Sequence, residues 1–433
     1  MNLTFLGAGY VGLTSGAVFA DLGNKVWVVR RSKDKVAMLA RGEVPFFEPG
    51  LAELVARNVS AGRLIPTVDY AEAIPHSEVI FISVGTPMGD GGGCDLSQVF
   101  TAARTLAPLL SSKYTVIVDK STVPPGTAPQ VAAVIREANP QANFEMVSCP
   151  EFLREGSAVG DTQQPERIVV GADSDKAFAV LAKLHEPLGA PIVRASVPSA
   201  ELIKYTANAY LALRIGFIDQ VANLCEAVGA DIEDIVRGIG LDPRIGSHYW
   251  HPGIGYGGYC FPKDVQALAA LFGEHGEEDN FFSKLDQYNQ ARPGKYVSRL
   301  GALLGGPEGK TVGVWGLTAK PGTDDVRGSQ AVAFIETLQD KGAKVRVFDP
   351  LGMDNARKLL HGVTFCEDPY EVAADADALA VLCEWGDFAK PDWGEVKKRM
   401  RGDLIFDAKR MFPPSVLEKH GFRYLGVGCG CAT

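Results

Sequence analysis

Cys260 stands in the run Gly255-Tyr256-Gly257-Gly258-Tyr259-Cys260-Phe261-Pro262-Lys263-Asp264, where glycines clear room for a ligand and a charge pair follows the thiol. The thiolate is the nucleophilic form of cysteine, and nearby cations lower the pKa that controls it. Those surroundings make Cys260 the candidate nucleophile, whereas Cys225, Cys366 and Cys383 read as ordinary small core residues. Lys204 and Asn208 are four residues apart, on one face of a mainly apolar helical stretch. A ligand pocket and a polar surface stripe both account for that spacing. Glu151 and Glu155 fall within Cys149-Pro150-Glu151-Phe152-Leu153-Arg154-Glu155-Gly156, after a strand-like run. A carboxylate held there can orient a water, although the first turn of a helix favours Glu as well. The run Asp119-Lys120-Ser121-Thr122-Val123-Pro124-Pro125-Gly126-Thr127 leaves another strand at its carboxyl end, where doubly wound sheets bind ligands.

At the start of the chain, Gly7-x-Gly9-x-x-Gly12 follows a short apolar strand and opens a small-residue helix. In that context the glycines allow a tight turn and bring backbone N–H groups against a pyrophosphate at the helix N-terminus. Dinucleotide binding is therefore expected. An NAD-type site wants an acid at the end of the second strand, but this chain has Val29-Arg30-Arg31-Ser32. Two guanidiniums and a hydroxyl suit the 2′-phosphate of NADP, because arginine meets phosphate bidentately. Alternatively, both arginines are only solvated at a strand end.

These groups need a large scaffold. The chain has 433 residues, 46% of them hydrophobic and 22% charged, which suits a soluble protein of two or three domains. No apolar run approaches the roughly 18 residues of a membrane span, and the first residues lack the features of a secretory leader. A net charge of −9 argues against nucleic acid as a partner. The eight cysteines show no metal-type Cys-x-x-Cys pairs, so no metal site is expected and a reducing cytoplasm fits. Cys429 and Cys431 read as free thiols in a mobile tail.

Apolar runs at 2–6, 25–29, 79–84, 115–119, 144–148, 168–171 and 191–194 alternate with helical segments, the pattern of a parallel, doubly wound sheet. From 198 to 229 the character is helical for about thirty residues, and its apolar content exceeds one face, which points to burial against a second copy of the chain. Strand-like runs return at 311–317, 344–348, 378–383 and 404–407, after the boundary Gly305-Gly306-Pro307-Glu308-Gly309. Three regions are expected: a dinucleotide-binding domain at 1–197, a helical dimerisation region with the cysteine loop at 198–304, and a second α/β domain at 305–433.

Taken together, six segments closely resemble the UDP-glucose 6-dehydrogenase and GDP-mannose 6-dehydrogenase family over the whole length. They are Gly-x-Gly-Tyr-Val-Gly at 7, Lys-Ser-Thr-Val at 120, Pro-Glu-Phe-Leu-Arg-Glu-Gly at 150, Glu-Leu-Ile-Lys-Tyr-x-x-Asn-Ala-Tyr at 201, Gly-Tyr-Gly-Gly-x-Cys-Phe-Pro-Lys-Asp at 255, and Gly-Leu-x-x-Lys-Pro-x-Thr-Asp-Asp-x-Arg at 316. The resemblance implies an α/β fold of two Rossmann-like doubly wound domains joined by a long central dimerisation helix, a homodimer, and a four-electron oxidation with a nicotinamide cofactor.

It also implies roles residue by residue. Cys260 would capture an aldehyde and carry a thioester, with Lys204 and Asn208 stabilising the oxyanion. Asp264, with a water held by Thr122 and Glu151, would serve proton transfer and hydrolysis. The cofactor would meet Gly7, Gly9, Tyr10, Val11, Gly12, Arg30, Arg31, Lys35, Thr86, Thr122, Glu155, Lys263 and Arg327. The sugar nucleotide would meet Glu151, Phe152, Leu153, Lys204, Asn208, Tyr249, Gly257, Lys320 and Arg410, with Arg244 supplied by the partner subunit. Base recognition is expected near Lys409 and Arg410. Three departures stand out: Arg30 where the family has an acid, Tyr259 where it usually has Ser, and Gly328-Ser329-Gln330 for a usual Glu-Ser-Pro. The family pattern favours NAD, and Arg30 favours NADP. Cys-Phe-Pro-Lys-Asp is similar to the UDP-glucose members, leaving GDP-mannose, and then a UDP-N-acetylhexosamine, as the alternative substrates.

Overall fold

Leu3 and Phe5 point to one face of the first strand, and Thr4 and Leu6 point to the other, as the two-residue period of a strand requires. All four are fully buried, so helices must cover both faces. The computed structural model, which describes residues 1–430, shows this pattern across two α/β units. One unit spans Met1–Ala207 and the other begins at Asn208.

The first unit holds eight strands: β1 (Asn2–Leu6), β2 (Lys25–Val29), β3 (Leu64–Thr67), β4 (Val79–Ile82), β5 (Thr115–Asp119), β6 (Phe144–Ser148), β7 (Ile168–Ala172) and β8 (Ile192–Ala195). Their order is β3-β2-β1-β4-β5-β6-β7-β8. Leu3, Phe5, Phe81 and Val118 build the core on one face, while Leu6, Ile80, Ile82 and Ile117 build it on the other. The expected parallel pairing holds from β3 to β6, but β7 runs antiparallel to β6, and β8 follows β7. β3, four residues long with Pro66 inside it, is not among the expected strands. An edge strand, which β3 is, tolerates proline because one row of its N–H groups needs no partner.

A helix of 32 residues, Val197–Val228, starts in the first unit and continues into the second. Near its start, Glu201 accepts from the Gly126 and Ala128 N–H groups at 2.7 and 2.9 Å, capping the helix Thr127–Ala138 with a charge from elsewhere in the chain. The second unit adds the helices Ile232–Gly240, Cys260–Glu274 and Phe281–Leu304.

Six parallel strands complete that unit: β9 (Thr311–Trp315), β10 (Lys344–Phe348), β11 (Thr364–Phe365), β12 (Ala378–Val381), β13 (Leu404–Asp407) and β14 (Arg423–Gly426). Their order, β11-β10-β9-β12-β13-β14, repeats the winding of the first sheet. Each sheet therefore has a switch point beside its first strand, between β1 and β4 and between β9 and β12, where ligands bind in doubly wound folds. One expectation is corrected. Cys429 is buried and pairs through its backbone with Asp231, so it belongs to the core rather than to a mobile tail. Cys431 lies outside the described residues. Among the described residues, no helix is long and apolar enough to cross a membrane.

Candidate active site

In the first unit, the strand ends of one sheet edge present most of the cofactor candidates. Gly7 follows β1 with φ +108°, and a Cβ there would meet the Ser83 carbonyl oxygen at 2.3 Å. A Cβ on Gly12 would meet the Gly7 oxygen at 1.9 Å, so both glycines are demanded by the protein's own turn. Gly9 differs: a Cβ there would meet nothing within 4 Å. It caps the helix Tyr10–Asp21 without a side chain and leaves open the space a diphosphate would take. Thr86, Thr122 and Glu151 follow β4, β5 and β6 on the same edge.

Arg30 immediately follows β2, and one of its guanidinium nitrogens donates to the Ala8 carbonyl, which lays the side chain against the glycine turn. Burial lowers its pKa, which leaves an arginine charged. Arg31 and Lys35 are exposed, and the Ser32 hydroxyl accepts from the Lys35 N–H at 3.4 Å as the N-cap of the next helix. Ser32 thus has a structural duty that the sequence reading did not assign.

Glu151 and Lys204 form an ion pair of 3.1 Å, with both side chains less than a tenth exposed. The other Glu151 oxygen accepts from the Leu153 N–H at 2.7 Å, and the Lys204 ammonium lies 5.4 Å from the Phe152 ring centre. A buried charge is stable only with such partners. Glu155 is half-buried in the turn beyond.

In the second unit, Cys260 is the first residue of its helix rather than part of a free loop. Helix N-termini carry partial positive charge, which favours a thiolate. Three residues on, the Lys263 ammonium donates to Asp264 Oδ1 at 2.5 Å, while Asn208 Nδ2 donates to Asp264 Oδ2 at 2.6 Å. Asp264 is wholly buried. An amide nitrogen carries two donors, so Asn208 keeps a second one for a ligand.

The loop before Cys260 is held by side chains that imitate backbone pairing, and the sequence reading missed all of them. Asn289 accepts from the Tyr256 N–H at 2.8 Å and donates to the Tyr256 carbonyl at 2.9 Å. Gln330 donates to the same carbonyl at 2.7 Å. Asp219 accepts from the Gly253 N–H at 2.8 Å, and Arg292 donates to the Gly253 carbonyl through Nε at 2.8 Å. Arg292 also pairs with Asp219 at 3.0 Å. Burial pushes the Asp219 carboxyl up to about 7, against the pull of Arg292 and the Gly253 N–H. A polar stripe on the helix Phe281–Leu304 was the available signal. Without knowing which face packs, however, a buried arginine looks like a surface one.

The remaining candidates lie around this loop and the second sheet. A Cβ on Gly257 would meet the Gly328 oxygen at 2.6 Å. Tyr249 adopts φ +62°, an uncommon conformation for a bulky residue, with its ring 6.5 Å from that of Phe261. Arg244 is exposed and pairs with Asp242 at 2.6 Å. Lys320 follows β9, and Arg327 pairs with Asp325 at 2.5 Å. Lys409 and Arg410 follow β13, but both are engaged. Lys409 pairs with Glu384 at 3.0 Å, and Arg410 pairs with Asp231 and Glu233 at 3.0 and 2.9 Å. Their cations brace the unit as they stand.

Comparison with known proteins agrees along the whole chain. Residues 1–189 match the NAD binding domain of the UDP-glucose/GDP-mannose dehydrogenase family, 198–291 its central domain and 313–414 its UDP binding domain. The chain is 46% identical to the UDP-glucose 6-dehydrogenase of Rhizobium meliloti (strain 1021), over 99% of each. It is 40% identical to UDP-glucose 6-dehydrogenase TuaD of Bacillus subtilis (strain 168), over 99% of this chain and 93% of that one. The solved structure of a UDP-glucose dehydrogenase from Pyrobaculum islandicum superposes with a TM-score of 0.92 at 36% identity, covering 99% of this chain and 97% of that one.

Proposed function

The chain belongs to the UDP-glucose/GDP-mannose dehydrogenase family, and from that premise we propose that it oxidises the C6 alcohol of UDP-glucose to the carboxylate of UDP-glucuronate. The observation that carries this reading is Cys260 at a helix start, beside the buried Lys263–Asp264–Asn208 chain. A one-step alcohol dehydrogenase has no use for that thiol. The names of the relatives support UDP-glucose over GDP-mannose.

The glycine turn at Gly7, Gly9 and Gly12 would hold an oxidised nicotinamide cofactor, and two molecules of it in succession would supply the hydride acceptor for the two oxidations. The protein's groups do the rest. The first oxidation sends the alcohol proton to a base, and Asp264, with a water held by Thr122 and Glu151, serves that proton transfer and the later hydrolysis. Cys260 then adds to the aldehyde carbon, and Lys204 and Asn208, one turn apart on the long helix, donate to the oxygen that gains charge. Loss of the second hydride leaves a thioester, which water cleaves to the acid and the free thiol. The test is an incubation with UDP-glucose or GDP-mannose and each cofactor. Two reduced cofactors per UDP-glucuronate are expected. A ratio of one, or turnover of GDP-mannose alone, would overturn the proposal.

Arg30 makes NADP the better cofactor in this reading. Its guanidinium lies over the glycine turn, where an acid would repel a 2′-phosphate. Charge-assisted hydrogen bonds contribute about 1.5–3 kcal/mol each, less where exposed, so a preference of roughly tenfold is expected. Arg30→Asp should reverse the order of kcat/KM, and an unchanged NAD preference in both proteins would show Arg30 to be a bystander.

A homodimer is part of the same proposal. Tyr210, Phe217 and Leu224 recur every seven residues on the long helix and are each at least half exposed, forming one apolar stripe. Light scattering at micromolar concentration should give twice the 46.3 kDa chain mass, and a monodisperse monomer would refute it. The buried, reduced thiols of Cys149, Cys225, Cys366 and Cys383 fit a cytoplasmic enzyme.

A further inference from the structure

Successive peptides ahead of Cys260 have their directions fixed by groups from outside the loop. The Tyr256 N–H donates to Asn289 at 2.8 Å, and the Tyr256 carbonyl accepts from Asn289 at 2.9 Å and from Gln330 at 2.7 Å. Two residues on, the Gly258 N–H donates to the Gly328 carbonyl at 3.1 Å. A carbonyl oxygen has two lone pairs, so two amide donors on Tyr256 leave its peptide plane little freedom to turn. Glycines permit the approach: a Cβ on Gly255 would meet the Asn289 oxygen at 2.5 Å, and one on Gly257 would meet the Gly328 oxygen at 2.6 Å. Within one trans peptide the C=O and the following N–H point in opposite directions. Because the Tyr256 carbonyl is turned towards Asn289 and Gln330, the Gly257 N–H is turned away from both. Tyr256 and Asn289 are buried, while Gly257 is only partly so.

Gln330 is the first residue of the helix Gln330–Asp340, whose N-cap is Ser329. A first-turn N–H has no partner within its own helix, so the proline usual in the family serves that position well. What glutamine adds is a side-chain amide. We propose that Gln330 is a positioning residue that, with Asn289, aims the Gly257 N–H at an oxygen of the sugar nucleotide. This rests on the dehydrogenase reading, in which Gly257 meets that ligand. The oxyanion has Lys204 and Asn208 in the same reading, so the Gly257 N–H serves an oxygen whose charge does not change during the reaction. A donor of that kind holds bound substrate and transition state alike, and its loss shows in KM rather than in kcat.

The test uses the full-length protein with Gln330→Met, which keeps the length without a donor, and Gln330→Glu, which keeps the shape but turns an acceptor towards the carbonyl. Gln330→Met is expected to raise KM for UDP-glucose by roughly two- to tenfold, the range of one hydrogen bond, with kcat and the KM of the cofactor unchanged. Gln330→Glu should raise it further. A role confined to the helix start predicts the opposite, because an acid in the first turn stabilises a helix and that variant would then match the parent. Hydrogen exchange of residues 253–260 in the ligand-free proteins should quicken in both variants. If the parent turns over GDP-mannose instead, the KM comparison is made with that sugar nucleotide. A parent that turns over neither ends the dehydrogenase reading by itself, and the exchange rates still decide the clamp: faster in both variants supports it, parental rates overturn it. An unchanged KM in Gln330→Met, a glutamate variant as good as the parent, or an equal rise in the KM of the cofactor would each overturn the proposal.

Discussion

Cys260→Ser is expected to bind both ligands as the parent does, yet to form UDP-glucuronate at least about a thousandfold more slowly. The reason is the split between the two oxidations. The first needs only a base and a hydride acceptor, whereas the second needs a nucleophile that holds the aldehyde in a tetrahedral state from which hydride can leave. A serine hydroxyl at neutral pH is a poor nucleophile without a dedicated base, and the partial charge at the helix start, which favours a thiolate, does far less for a hydroxyl of much higher pKa. The measurement is acid formation by chromatography alongside reduced cofactor by absorbance, with calorimetry to show that binding survives. Acid production at the parental rate would sink the thioester route.

Asn208→Ala should lower kcat by about 10²- to 10³-fold with little change in the Kd of UDP-glucose, the loss associated with one preorganised oxyanion donor. Its amide is fixed by the 2.6 Å bond to Asp264, so the second N–H is aimed before substrate arrives. The substitution also takes a hydrogen-bond donor from the wholly buried Asp264, to which Lys263 still donates at 2.5 Å. Some loss of stability, about 1–3 kcal/mol, should therefore accompany the kinetic effect. Denaturant unfolding separates the two: a folded variant with parental kcat would remove Asn208 from the chemistry. Asn208→Asp would place a second carboxylate against Asp264 and should cost more in both measurements.

Local spacing carried a good part of this protein. The glycine turn at Gly7, Gly9 and Gly12 is written within six residues, because φ, close approach and the helix start are decided among near neighbours. Alternation of apolar runs with helical segments was enough for two doubly wound sheets, although not for the reversal at β7 or the edge strand β3. The residue type of Cys260 and its charged neighbours were visible too.

Tertiary structure decided what those groups face. Asn208 meets Asp264 across 56 residues, Asn289 meets Tyr256 across 33, and Arg292 meets Gly253 across 39. Arg410 and Lys409, legible as cations near a strand end, proved to be engaged by Asp231, Glu233 and Glu384. Ser32, legible as a phosphate donor, caps a helix. Burial explains the difference. A polar group taken out of water must find a partner, and which partner is within reach depends on which helix faces pack together. That choice is made by the summed fit of apolar surfaces across the whole unit, which spacing along the chain does not encode.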